Sequence, residues 1–223
     1  MRLKLLAALV ALAAVAGCGG DDEPEQAAQE TPAAAEQADL GAIKDYLARH
    51  TASLQDHTAT LAADAEAYHA LAEEAGFDYD KLLADNREEV AGLIEKMQAT
   101  FREANPAYEE MEGVVAGVPS LADFDVIIDA GADKSDPENA VPFSLETPNG
   151  RKFEQPGNFF ALVETSAFGT EPKFTAKGVK PDLDGDGKVT FPEALPDADF
   201  LLAATTDFAK YAQELDESAK KWE

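Results

Sequence analysis

Cysteine, histidine, methionine and basic residues are all scarce in this chain of 223 residues. It contains 1 cysteine, 3 histidines and 3 methionines, and 18 Lys and Arg residues stand against 44 Asp and Glu residues. A single cysteine has no partner for an intramolecular disulfide. A formal net charge of −26 repels nucleic acid and anionic lipid, so we expect no nucleic-acid partner.

Sequence motifs of common catalytic sites are also missing. The chain has no phosphate-binding glycine loop followed by Lys and Ser or Thr, no His-Glu-x-x-His and no Gly-x-Ser-x-Gly. The three histidines fall within one predicted helix, which leaves little room for a nucleophile and its base. We therefore expect no enzyme but a binding or scaffold module. A hydrolase whose site lies in the irregular middle of the chain stays open as a third reading.

The first 17 residues have the pattern of a secretory signal peptide. Arg2 and Lys4 form a basic start, and the apolar run 5–16 that follows is too short to span a bilayer comfortably. The four residues 15–18, Val-Ala-Gly-Cys, resemble the lipobox of bacterial lipoproteins. In that family the signal is cleaved before the cysteine, and the cysteine is lipidated. The resemblance implies Cys18 as the lipidation site, the membrane as a partner through this N-terminal anchor, and a location in the cell envelope, on the periplasmic side of an outer membrane or on the cell surface.

Residues 18–38 predict a lipid anchor followed by a disordered tether. After Cys18 they lack large apolar side chains and are rich in Glu, Gln, Pro and Ala. The remaining stretch, 39–223, has the length of one domain.

Helical periodicity dominates this domain. A row of large apolar residues recurs every seven positions from Leu40, through Leu47, Leu54, Leu61 and Tyr68. A second apolar stripe predicts a helix over 79–104, and Asn105 followed by Pro106 predicts the N-terminus of a new helix. A final helix is expected from about Asp197. These features predict a mainly α, up-and-down bundle of three to four long helices.

The middle of the chain, 117–180, is irregular and predicts an insertion in this bundle. "FSLETPNGRKF" has the pattern of a small β-hairpin, with Asn149 and Gly150 in its turn. "NFFALVETSAF", which Gly169 follows, predicts a short helix. The segment 182–193 that comes next predicts a loop.

"DLDGDGKVTFPE", residues 182–193, crowds four carboxylates into one turn-like segment. Alternate residues of a tight loop point inward, and calcium prefers six to eight hard oxygen ligands. The segment resembles the twelve-residue calcium loop of the EF-hand family position by position, with Gly187 at the sharp turn. The resemblance implies calcium as the cofactor and ligands from Asp182, Asp184, Asp186, the Lys188 carbonyl, Thr190 and Glu193.

The resemblance stops at the ends of the loop. Gly178 and Pro181 precede it where an EF-hand has an entering helix, and Pro192 and Pro196 interrupt the exiting helix. The chain has no second loop of this kind, whereas EF-hand sensors work in pairs that open a Met-rich groove. We therefore expect calcium to act as a structural clip and not as a signal.

Two histidines suggest an alternative function. His50 and His57 lie seven residues apart beside the leucine row, where carboxylates from another helix could complete a transition-metal site. Alternatively, they are half-solvated boundary residues. "FREANPAYEEMEGVV" loosely resembles a helix of the imelysin-like proteins of bacterial iron uptake, although the His-x-x-Glu motif of that family is missing. The resemblance implies a periplasmic protein that takes up or handles iron or copper, with calcium only structural.

Overall fold

A computed structural model describes residues 39–131, 141, 143–191 and 193–222. The predicted signal peptide, Cys18 and the predicted tether lie outside the described residues. The helices are α1 (Leu40–Glu74), α2 (Tyr79–Gly117), α3 (Ala122–Asp125), α4 (Phe159–Ala167) and α5 (Ala198–Lys221), and the strands are β1 (Ser144–Glu146) and β2 (Lys152–Glu154). The protein is mainly α, with α1, α2 and α5 as its long helices and a small hairpin in the insertion, as the periodicity predicts.

Helix α1 is the centre of the bundle and packs against both α2 and α5. The heptad row forms its buried face: Leu47, Leu54, Leu61 and Tyr68 are at most 1% exposed. Leu40 is the exception, because the first residue of the helix projects beyond the bundle and is 58% exposed. Burying this row contributes to the hydrophobic stabilisation of the bundle.

Helix α2 differs from the prediction of a break at Asn105. It continues through Pro106 to Gly117, and its only residue with non-helical backbone angles is Asn86 (φ −135°, ψ 26°). Pro106 lies on the exposed side of the helix, where water can replace the hydrogen bond that proline cannot donate. Ala104 and Tyr108, on either side of it, are fully buried. Tertiary contacts therefore outweigh the local signal for a helix start.

The hairpin has the predicted turn and register. Leu145 of β1 is paired with Phe153 of β2, and Leu145 is fully buried against the bundle. Gly150 has φ +80°, a conformation that side-chain-bearing residues rarely adopt, and its N–H donates to the Thr147 carbonyl at 2.8 Å. Helix α4 packs against α2 and α5, and a π-helical turn (Val126–Ala130) follows α3.

The segment that carries the predicted calcium loop is closed at its base. Thr175 and Pro196 form an isolated β-bridge, and the Ala176 N–H donates to the Leu195 carbonyl at 2.8 Å. Helix α5 begins directly afterwards, and the side chain of Asp197 caps it by accepting from the Phe200 N–H at 3.0 Å. The loop is therefore held between two paired strand-like segments and the start of a long helix.

Asp216 links α5 to α1 inside the bundle, and its removal should destabilise the fold. Its side chain is 3% exposed, accepts from the Thr51 hydroxyl at 2.8 Å and pairs with Lys220 at 2.5 Å. Asp216→Ala removes the buried α5 acceptor of the Thr51 hydroxyl and leaves it only the longer bond to the Ala48 carbonyl at 3.3 Å. We expect a loss of about 2 kcal/mol in the free energy of unfolding by urea titration. Glu217→Ala removes a neighbouring exposed carboxylate and should change this free energy by less than about 0.5 kcal/mol. Equal effects would contradict the assigned role of Asp216.

Candidate metal-binding site

Three of the predicted ligands converge in the loop 182–193. Carboxylate oxygens of Asp182, Asp184 and Glu193 all lie within 4.8 Å of one another. This is close enough for one cation to contact all three, and carboxylate oxygens are the ligands that hard cations prefer. Asp186 does not belong to this group.

Glu193 reaches back across the loop and binds four donors. Its Oε1 accepts from the N–H groups of Leu183 (2.7 Å) and Asp184 (3.2 Å). Its Oε2 accepts from the Thr190 N–H (2.6 Å) and from the Thr190 hydroxyl (2.9 Å). The Thr190 N–H is the largest cause that lowers the pKa of Glu193, to about 2, with the other donors adding to it. Glu193 is therefore ionised at neutral pH and fixed in place.

The first half of the loop is ordered by its own aspartates. The Asp184 carboxylate accepts from the Asp186 N–H at 2.9 Å, and the Asp186 carboxylate accepts from the Lys188 N–H at 2.7 Å. Gly187 has φ +85°, and this turn directs its N–H to the Asp182 carboxylate at 3.1 Å. The sharp turn that the sequence places at Gly187 is therefore present.

Asp182 has one oxygen in an unusual position. Its Oδ1 is buried and, among the residues that the structure describes, has no hydrogen-bond partner. An unsatisfied buried carboxylate oxygen is costly unless a cation or water contacts it. This observation, together with the two neighbouring carboxylates, shows that the donor set of the loop fits a hard cation.

The other predicted ligands are arranged differently. The Thr190 hydroxyl binds Glu193, and the Asp186 side chain lies 3.7 Å from the exposed Lys188 ammonium. Residues 175–181 form no helix, and a 3₁₀ turn (Pro172–Phe174) precedes them. The loop thus lacks the entering helix of an EF-hand, as Gly178 and Pro181 indicate.

A second carboxylate group lies near the C-terminal end of α2. Oxygens of Glu109, Glu112 and Asp129 lie within 4.8 Å of one another, with Asp129 on the π-helical turn. Burial is the main cause that raises the pKa of Asp129 to about 6, and the charges of Glu109, Glu112 and Asp125 raise it further. The spacing of these residues does not reveal the group, because Asp129 is seventeen residues from Glu112 and only the tertiary fold joins them.

His50 and His57 each face a carboxylate of α2. His50 Nδ1 lies 3.5 Å from Glu110, and His57 Nδ1 lies 3.9 Å from Glu103. Neither histidine belongs to a group of three potential metal ligands in the part of the chain that the structure describes. The transition-metal site at His50 and His57 stays a prediction.

His69, the third histidine of α1, contacts α5. Its side chain is 15% exposed, and its Nε2 lies 3.0 Å from Asp199 of α5. Asp199 also accepts from the Asn149 amide of the hairpin turn at 2.5 Å. The α1 periodicity does not reveal this contact, because its partners come from α5 and from the insertion.

The described residues of this helical protein thus contain two carboxylate groups that could hold a metal ion. No protein-family model, curated protein or solved structure matches the chain. Across the described ranges, no helix is both long enough and apolar enough to cross a membrane.

The raised pKa of Asp129 leads to a pH-dependent prediction for the metal-free protein. The folded state binds a proton on Asp129 more tightly than the unfolded state, so stability falls as pH rises from about 4 to about 6. Asp129→Asn removes the carboxylate that is destabilising when it is ionised. In chelator, the melting temperature of this variant should therefore exceed that of the wild type by roughly 2 °C at pH 7.5, but not at pH 4.

The matched control is Asp123→Asn, an exposed carboxylate on the preceding helix. Its melting temperature should follow the wild type at both pH values. If Asp129→Asn gives no increase at pH 7.5, the three carboxylates are not crowded in solution.

Proposed function

We propose that this chain is a lipid-anchored calcium-binding protein of the bacterial cell envelope, a binding or scaffold module without catalytic activity. The observation that carries the proposal is the convergence of the Asp182, Asp184 and Glu193 carboxylates, one of which, Asp182, has a buried Oδ1 with no hydrogen-bond partner among the described residues. A calcium ion would add two positive charges beside three adjacent carboxylates.

The choice of calcium follows from the donors and from the irregular geometry of the loop. Calcium accepts six to eight oxygens in irregular arrangements, whereas magnesium needs near-ideal octahedral geometry. The loop offers carboxylates, a threonine hydroxyl and backbone carbonyls, all of them hard oxygens. With no entering helix to fix the loop, we expect modest affinity, in the weaker part of the roughly 10⁻⁷ to 10⁻³ M range of sensor and extracellular sites.

The position of the loop favours a structural role for the ion. Glu193 lies four residues before the N-cap Asp197 of α5, and Pro196, between them, forms the β-bridge with Thr175. Calcium bound by Asp182 and Glu193 would connect the two ends of the loop at the point where the long helix starts. Calcium would thus stabilise the loop and the start of α5.

Calcium should bind and stabilise the protein. At a free concentration about a hundred times Kd, a ligand specific for the native state adds about 2.7 kcal/mol, or roughly 5–10 °C for a domain of this size. We expect a heat of binding by calorimetry at millimolar calcium and a lower melting temperature after chelation. Glu193→Gln should remove most of both effects, because the ligand loses its charge.

Glu214→Gln provides the matched control, since it neutralises an exposed carboxylate on α5 that lies outside both carboxylate groups. It should bind calcium as the wild type does. If the wild type shows neither a heat of binding nor a thermal shift, the calcium proposal is refuted and 182–193 is an acidic turn.

The anchor is tested separately at Cys18. Cys18→Ser removes the thiol that would carry the lipid, so the variant should remain unprocessed or become soluble when cells are fractionated. Gly20→Ser, outside the four-residue motif, should stay with the membranes. A Cys18→Ser protein that is fully processed and still sediments with membranes would show that the lipobox assignment is wrong.

A transition-metal-handling protein of imelysin-like type is the second candidate. The observation that favours it is the group Glu109, Glu112 and Asp129, because two of these residues lie in the stretch that resembles that family. An all-carboxylate donor set suits iron better than copper, which favours nitrogen and sulfur ligands. Bound iron after purification in metal-poor buffer would favour this candidate, whereas calcium alone would favour the first.

A further inference from the structure

Arg87 of α2 reaches the first ligand position of the loop. Its Nη1 donates a hydrogen bond to the Asp182 carbonyl oxygen and lies 3.5 Å from Asp182 Oδ2. Arg87 follows Asn86, the residue that interrupts the helical geometry of α2. These contacts join segments 95 residues apart, so the sequence spacing does not predict them.

The Arg87 guanidinium is the cation that faces the ligand group. Among the ion pairs of the described residues, the other one within the loop joins Lys188 to Asp186, which is outside the group of three. Arg87 also lies beside the backbone of Gly185, where an added Cβ would come within 3.7 Å of its Nη1. The guanidinium therefore contacts the first half of the loop at more than one point.

The two oxygens of Asp182 have different surroundings. Oδ2 is near Arg87 and accepts from the Gly187 N–H at 3.1 Å, while Oδ1 is buried without a partner among the described residues. Arg87 thus contacts the Oδ2 side of the carboxylate, and Oδ1 could bind a metal ion. Arg87 orients the Asp182 side chain through Oδ2 and the carbonyl, without contacting Oδ1.

We propose that Arg87 is a positioning residue whose guanidinium provides positive charge beside Asp182 when the calcium loop holds no metal. It holds Asp182 in place in the metal-free protein and lowers the affinity for calcium by repelling it. The inference rests on the proposed calcium function.

The charge of Arg87 should lower the affinity of the loop for calcium. A guanidinium attracts the Asp182 carboxylate, but it repels a divalent cation bound to that same carboxylate, with an energy proportional to the product of the charges. Because Arg87 is partly exposed, solvent and salt screen this repulsion. The penalty on calcium binding should therefore decrease as ionic strength rises.

Calorimetric calcium titrations of three variants, at low and at physiological ionic strength, test the inference. Arg87→Gln keeps a donor but loses the charge, and its Kd at low salt should be about fivefold lower than that of the wild type. Arg87→Lys keeps the charge and should stay within about twofold of the wild type. Lys81→Gln removes a charge from the same helix at an exposed site, paired with Asp85, and should also stay within about twofold. The difference between Arg87→Gln and the wild type should decrease at physiological salt.

The metal-free protein gives a second readout. In chelator, Arg87→Gln should melt roughly 2 °C below the wild type, because Asp182 loses its cation, and Lys81→Gln should not. An unchanged or higher Kd in Arg87→Gln would overturn the inference, since a merely structural anchor cannot improve affinity when it is removed. Absence of calcium binding in both the wild type and Arg87→Gln refutes the calcium site itself, whereas binding in the wild type with no gain in the variant refutes only the role of Arg87.

Discussion

The hydrogen bonds of Glu193 hold the candidate site together. Its carboxylate accepts from Leu183 and Asp184 at one end of the loop and from Thr190 at the other, so a single side chain spans ten residues. These bonds bring Glu193 to Asp182 and Asp184, and they keep the charged form stable at neutral pH. The same arrangement places three negative charges next to one another, and a cation is the natural complement to it.

The bundle positions this loop from outside. Helix α1 organises the other two long helices, and contacts such as Asp216 with Thr51 join α5 to it. The bridge between Thr175 and Pro196 closes the base of the loop just before α5 begins, and Arg87 of α2 contacts its first aspartate. The loop therefore receives support from two long helices, although neither is the entering helix of an EF-hand.

The two carboxylate groups illustrate how surroundings decide the behaviour of the same functional group. Backbone N–H donors lower the pKa of Glu193 to about 2, whereas burial and neighbouring acids raise the pKa of Asp129 to about 6. Glu193 is therefore charged at neutral pH and available to a cation, while Asp129 takes up a proton as pH falls toward 6. A divalent cation would compete with that proton at the second group.

The sequence by itself determined the features that depend on local order: the heptad row of α1, the turn at Asn149 and Gly150, and the spacing of the aspartates in 182–193. These features follow from periodicity and from backbone geometry over a few residues. Only the tertiary structure decided that α2 continues through Pro106, that His69 meets Asp199, and that Asp129 joins Glu109 and Glu112. Each of these depends on partners far away in the chain, because burial of a shared surface outweighs a local helix signal and sets which charges become neighbours.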